Sequence, residues 1–239
     1  MAEMTAYEVN GVLLACEFAG PADGPPVLLL HALGENRGSW REVAAGLAAD
    51  GWRTVAVDLR GHGDSGRPGE YTFESMRDDV LALLDTLGLA RVTVVAHSLG
   101  TIPASLVAMD RPHAVRRLVL EEGPLPFPAD PPRPVPDPPQ TPPDGYDWRL
   151  LPAVAVQRNA PAPRHWDGLA EITAPTLLIA GGPDSHLRQD QLVQVADRIP
   201  GARLVTIEAG HMVHDERPAE FLAAVREFLA EDDQAPAAR

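Results

Sequence analysis

Hydrophobic residues along the chain fall into two alternating kinds of segment. Residues 27–30, 54–57, 92–96, 117–120, 176–180 and 204–207 are short, nearly unbroken apolar runs. Runs of that length suit strands covered on both faces, as in a parallel sheet. Upstream of them, Tyr7-Glu8-Val9 and residues 12–18 flank Asn10-Gly11, a pair that favours the tight turn of a hairpin. Between the runs lie helical patterns. Residues 40–49 follow Ser39 as an expected N-cap, and residues 73–87 place Met76, Val80, Leu83, Leu84 and Leu87 on one face. Further helices are expected over 99–109, 189–199 and 218–229. Strands alternating with helices predict the α/β class: a doubly wound, mostly parallel eight-stranded sheet with helices on both faces.

One stretch breaks this rhythm. Residues 124–143 are mostly proline, aspartate and small side chains. Proline removes a backbone donor and disfavours the helical region for the residue before it, so neither a long helix nor a central strand is expected there. A short helix over 150–158 is bracketed by Trp148 and Trp166. Phe127, Tyr146, Leu150 and Leu151 add apolar surface that needs something to cover. The expected organisation is therefore a core made of 1–124 and 169–231, a proline-rich lid insertion over 125–168, and a flexible tail at 232–239.

Composition narrows the function classes. The chain has 239 residues and 45% hydrophobic content, enough for one well-packed domain. Net charge is −14, and all 20 basic residues are arginine. An acidic surface repels phosphates, so no nucleic-acid partner is expected. No apolar run approaches the ~20 residues of a membrane span, and residues 1–10 lack a basic cluster, so a cytoplasmic protein with no membrane partner is expected. The single cysteine, Cys16, lies in an apolar strand and reads as a core residue.

Candidate chemistry starts at Val94-Val95-Ala96-His97-Ser98-Leu99-Gly100. Here a buried strand runs directly into a helix, with a serine at the turn and small residues two places either side. Such a turn pushes the serine hydroxyl above the sheet edge and aims helix N-terminal amides at the same spot. A serine at this place is also a plausible N-cap, so its partners matter. A nucleophile needs a base, and the base needs an orienting acid. Gly210-His211 follows the strand at 204–207, and the strand at 176–180 runs into Gly181-Gly182-Pro183-Asp184. The chain order is Ser98, Asp184, His211.

With these pieces assembled, the sequence resembles the α/β-hydrolase family over nearly its whole length. The resemblance rests also on His31-Ala32-Leu33-Gly34 after the third strand and on residues 58–65 (Asp-Leu-Arg-Gly-His-Gly-Asp-Ser) after the fourth, with Glu216 and Pro218 after His211. It implies that Ser98 attacks, His211 takes its proton and Asp184 holds the imidazole. It also implies that the amides of Leu33 and Leu99 form an oxyanion hole. Two positions depart from the family pattern: Ala96 stands two residues before the serine, and Ala32 follows His31, where glycine is usual. Some relatives place the acid one strand earlier, which here would be Glu122. The activity implied is hydrolysis of a small carboxylic ester, lactone or thioester through an acyl-enzyme, without metal or other cofactor. Carbon–carbon cleavage, acyl transfer and cofactor-free peroxide chemistry use the same triad, and a small-molecule receptor can be built on the same frame. Serine rather than aspartate at 98 argues against an alkyl-ester intermediate. His31 is expected to brace the oxyanion loop, His62 to be structural, and His214 to pack rather than bind metal with His211.

Overall fold

The computed structural model describes residues 3–141 and 143–231; the tail expected at 232–239, and Pro142 within the expected lid, lie outside them. Eight strands form one sheet in the order β1-β2-β4-β3-β5-β6-β7-β8. They are β1 (Glu3–Val9), β2 (Val12–Ala19), β3 (Pro26–Leu30), β4 (Arg53–Val57), β5 (Val92–His97), β6 (Val115–Glu121), β7 (Thr176–Ala180) and β8 (Arg203–Thr206). β1 and β2 are joined through Asn10 and Gly11, both at positive φ (49° and 74°), which pairs Val9 with Val12. β2 also runs antiparallel to β4, and every pairing from β4 through β8 is parallel.

The apolar runs are unbroken because the sheet is covered twice. On β3, Leu28 and Leu30 enter one core while Val27 and Leu29 enter the other. The first core lies under α2 (Phe73–Thr86) and α3 (Thr101–Asp110), with Phe73 and Met76 fully buried. The second lies under α1 (Arg41–Ala49) and α8 (Pro218–Ala230), with Trp40, Phe221 and Phe228 at its centre. Ser39 is not the N-cap of α1. It sits within a 3₁₀ turn, Arg37–Trp40, whose cap is Asn36 accepting from the Gly38 amide. Pro103 is the third residue of α3, within the first turn, where a missing donor costs the helix little. Cys16 is buried in the first core; burial, then Asp58, pushes its thiol up to about 12 and leaves it unreactive.

Between β6 and β7 the chain leaves the sheet. It has no helix or strand over 124–141 and then forms α4 (Leu150–Asn159) and α5 (Pro163–Asp167). This excursion is anchored to the loop after β4. The Asp147 amide donates to Gly61 O (2.7 Å), the Gly63 amide to Gly145 O (2.6 Å), and the Tyr71 hydroxyl to Asp147 (2.6 Å). Phe127 packs on Trp166 with ring centroids 5.0 Å apart, and Leu150 is fully buried in the first core. The remaining helices, α6 (Gln189–Arg198) and α7 (Val213–Glu216), flank β8 in the chain. No helix among the described residues is long and apolar enough to cross a membrane.

Candidate active site

Ser98 follows the last residue of β5 and has φ +48°, a left-handed backbone that a non-glycine residue adopts only when its surroundings impose it. The imposing contact is visible two residues on. A Cβ on Gly100 would lie 2.5 Å from Leu30 O and 2.8 Å from His31 O, so only glycine lets the new helix start this close to the end of β3. Ala96, by contrast, lies in regular β5, fully buried, where a Cβ has room. Ala32 is likewise absent from the positive-φ positions, and its loop uses Gly34 (φ 83°) for the left-handed step. Neither departure from the usual glycines distorts its turn.

His211 lies between β8 and α7, and its Nε2 stands 3.0 Å from Ser98 Oγ. Its Nδ1 stands 3.1 Å from Oε2 of Glu122. Asp184, expected in that position, does not occupy it. Its side chain is exposed and takes no hydrogen bond from the described residues. Glu122 comes directly after β6, and its φ of +52° turns the side chain back over the sheet edge. The turn after β7, read for its own acid, instead supplies donors to the acid of its neighbour. The Gly181 amide donates to Glu122 Oε1 (2.6 Å), the Ser185 hydroxyl donates to Oε2, and Gln189 Nε2 reaches Oε1 at 3.2 Å. A Cβ on Gly181 would collide with Gly210 O at 1.7 Å, so glycine there is what lets this turn and the His211 loop close on the carboxylate. Burial alone would raise the Glu122 carboxyl, but the hydrogen bonds from His211, Ser185 and Gly181 hold it below its ordinary range. An ionised Glu122 keeps the proton of His211 on Nδ1, which leaves Nε2 to accept from Ser98.

A second buried network lies beneath this one. His97 is fully buried and donates from Nε2 to the carbonyl of His211 (2.9 Å), while its Nδ1 faces Glu35 Oε2 at 3.6 Å. The same Glu35 oxygen accepts the Ala32 amide (3.1 Å). Burial would push the His97 imidazole down, but the Glu121 and Glu35 carboxylates override it and raise it to about 9. Glu35 is correspondingly held down at about 2, against its own burial, mainly by His97. His97 is thus a buried cation tying the Ala32-Leu33 loop to the backbone of His211. His214 is packed, as expected: it stacks on Trp40 (4.1 Å) and engages both oxygens of Glu121 through its amide (2.9 Å) and Nδ1 (2.6 Å). His97, Glu121 and His214 bring one ligand-type atom each within 4.8 Å of one another, but both carboxylate oxygens of Glu121 are already taken by hydrogen bonds from His214. His31 uses both nitrogens, with Nδ1 to Ala32 O (2.7 Å) and Nε2 accepting the Leu59 amide (3.0 Å). Burial and neighbouring His62 drive it down to about 3, so it is a neutral brace and no base.

The His97 network makes stability depend on alkaline pH. Its value in the fold exceeds the ordinary 6.5, so its contribution is complete below that pH and is lost as pH rises through about 9. Thermal melts between about pH 7 and pH 10 should show a decline worth on the order of a few kcal/mol. His97→Gln should be less stable at neutral pH and show a flatter profile; a wild-type melting temperature constant across that range would refute the buried cation.

Ser98, His211 and Glu122 face a cavity of about 270 Å³. Ser98, His211, Leu33 and Leu99 lie on its floor side; Leu125, Val154, Arg133 and Arg158 reach it from the excursion between β6 and β7. Leu99 lies in the first helical turn, whose amides have no intrahelical partner. His186, also at the cavity, packs its ring 4.2 Å from that of His211. Glu35, the His97 linkage and the two arginines carry no local sequence signature that would have marked them. Glu122 did have one, the acidic pair Glu121-Glu122 directly after the apolar run 118–120.

Comparison with known proteins gives a consistent picture. A family model described as the alpha/beta hydrolase fold matches residues 25–150. The sn-1-specific diacylglycerol lipase ABHD11 of Mus musculus is 26% identical over 254 residues, covering 88% of this chain and 83% of that protein. Epoxide hydrolase 2 of Siraitia grosvenorii is 37% identical over 120 residues, but this match spans 49% of the present chain and 37% of the relative. Among solved structures, the enol-lactonase from Burkholderia xenovorans LB400 superimposes with a TM-score of 0.80 at 25% identity, over 95% of this chain and 100% of that one.

Proposed function

The chain belongs to the alpha/beta hydrolase fold family, and from that premise we propose that it is a serine hydrolase of small carboxylic esters, lactones or thioesters. The observation that carries this reading is the continuous line from Ser98 Oγ to His211 Nε2 (3.0 Å) and from His211 Nδ1 to Glu122 (3.1 Å), opening on a cavity. Ser98 attacks the carbonyl carbon as its proton passes to His211. The oxyanion that develops is received by the amides of Leu33 and Leu99, and the leaving alkoxide or thiolate takes the proton back from His211. Water then enters and gives a proton to His211 as its oxygen attacks the acyl carbon; the Ser98 oxygen leaves, taking that proton back from His211, and the free acid departs. Glu122 stays ionised throughout and stabilises the imidazolium.

Relatives include an epoxide hydrolase as well as a lipase and a lactonase. The side chain at the turn favours the acyl-transfer branch, because a serine hydroxyl and not a carboxylate is the group held against His211. The segment 125–168 acts as a rim over the cavity. Its prolines limit the conformations open to it, which suits a fixed edge and a small substrate better than a large moving flap.

The direct test is a fluorophosphonate probe. We expect rapid labelling of one site per chain, mapped by mass spectrometry to the peptide containing Ser98, together with turnover of a short-chain aryl ester. Ligand-induced stabilisation with neither labelling nor turnover would instead mean that the frame serves as a receptor.

A further inference from the structure

Two arginines reach the cavity from outside the catalytic line. Arg158 lies on the last turn of α4 and Arg133 in the proline-rich run, yet both line the space that Ser98 and His211 face. Neither forms an ion pair with a carboxylate among the described residues, although Asp and Glu outnumber arginine 34 to 20. The one side-chain hydrogen bond Arg158 makes among the described residues goes to the neutral carbonyl of Leu125. Burial and the neighbouring Arg133 together pull its guanidinium down to about 10, the signature of a cation lacking a counter-charge.

The pair is also held in place. Asn159, next to Arg158, grips the backbone of Arg133 from both sides: its Oδ1 accepts the Arg133 amide (2.7 Å) and its Nδ2 donates to the Arg133 carbonyl (2.9 Å). The Ala129 amide donates to Arg158 O (3.0 Å). Three hydrogen bonds thus fix an otherwise irregular segment so that two like charges sit side by side at the mouth of a reactive cavity. Like charges placed together at a cost in repulsion are useful when an anion joins them. The acids at the same cavity do not fill that role. Glu122 is engaged by His211, Ser185 and Gly181, and Glu35 faces His97 and the Ala32 amide.

We propose that Arg158 and Arg133 form the recognition site for a carboxylate on the substrate, so that the ester cleaved at Ser98 is a monoanion such as the half-ester of a small dicarboxylic acid. This rests on the hydrolase reading above. A guanidinium fork matches a carboxylate bidentately. A single negative charge suits the site better than the higher charge of a phosphate, because Glu35 and Glu122 lie on the same walls. The apolar residues Leu125, Ile102 and Val154 would cover the short chain joining the carboxylate to the ester.

The test compares two aryl esters of equal acyl length, para-nitrophenyl hemisuccinate and para-nitrophenyl butyrate. Wild-type protein should favour the hemisuccinate in kcat/KM by roughly 10–100-fold, the range expected of a charge-assisted pair. Arg158→Gln and Arg133→Gln should each reduce that ratio by roughly 10-fold or more. Arg133 is exposed and held through its backbone, so its variant keeps the test sound if Arg158→Gln fails to fold. Equal or better use of butyrate by wild-type protein overturns the carboxylate site while leaving the serine hydrolase intact. A parallel calorimetric titration of Ser98→Ala with monomethyl succinate separates the two readings. Arginine-dependent binding there, without any turnover by wild-type protein, sustains the anion site and removes the hydrolase; inorganic phosphate binding better than monomethyl succinate overturns the carboxylate assignment.

Discussion

Ser98→Ala should yield a folded protein whose kcat/KM for a short-chain aryl ester is lower by roughly 10⁴- to 10⁶-fold. The substitution removes Oγ and keeps Cβ, so the left-handed backbone at this position (φ +48°) is as strained in the variant as in the parent. The hydroxyl's recorded partner is His211, and the local turn is held by contacts that survive, including the Thr101 hydroxyl donating to the Ser98 carbonyl. Melting temperature should therefore stay near that of the parent while activity collapses. Residual rate above the uncatalysed reaction is expected from the remaining amides and the cavity. Wild-type turnover in Ser98→Ala would remove Ser98 from the chemistry.

The second large effect separates the two candidate acids. Glu122→Gln should lower kcat by roughly 10⁴-fold, whereas Asp184→Asn should stay within about twofold of the parent. Glutamine keeps the shape but offers one oxygen and an NH₂ where the structure presents four donors: His211 Nδ1, Ser185 Oγ, the Gly181 amide and Gln189 Nε2. At least one buried donor loses its acceptor, which costs about 1–3 kcal/mol in stability. The imidazole also loses the anion that fixes its tautomer. Rate and stability should thus both fall, the rate far more than stability loss can account for at a temperature where the variant remains folded. The reverse pattern, with Asp184→Asn inactive and Glu122→Gln active, would restore the acid to the turn after β7.

The fold was legible because burial on two faces writes itself as unbroken apolar runs, and Asn10-Gly11 marks its hairpin by turn chemistry alone. The position of Ser98 was legible for a similar reason: a buried strand meeting a helix with almost no intervening residues leaves the chain one way to turn. Helix starts were less so. Ser39 has the residue type of a cap, but it lies inside a 3₁₀ turn that Asn36 caps through the Gly38 amide, a turn that periodicity does not resolve. The acid was misread because β6 and β7 are adjacent parallel strands that both end in carboxylate-bearing turns. Sequence order alone does not say which carboxylate points inward. The positive φ of Glu122 and the four donors converging on it settle the geometry, and these come from residues 59 to 89 positions away in the chain. Arg133 and Arg158 were invisible for the same reason, since one lies in the proline-rich run and the other near the end of α4, 25 positions on, while both line the same cavity.

Glu122 also stands at the root of the excursion that rims the cavity, followed at once by Gly123 and Pro124. Had the acid been Asp184, the whole connection between β6 and β7 could be exchanged without touching the triad. With Glu122 as the proposed acid, any lineage or designer that swaps this segment to change substrate preference must splice beyond the acid, and must keep the turn at Gly181 and Ser185 on the far side of β7 that holds it. On the proposed function, catalysis and selectivity are inherited through a shared junction, and the part of the protein freest to diversify begins only after it.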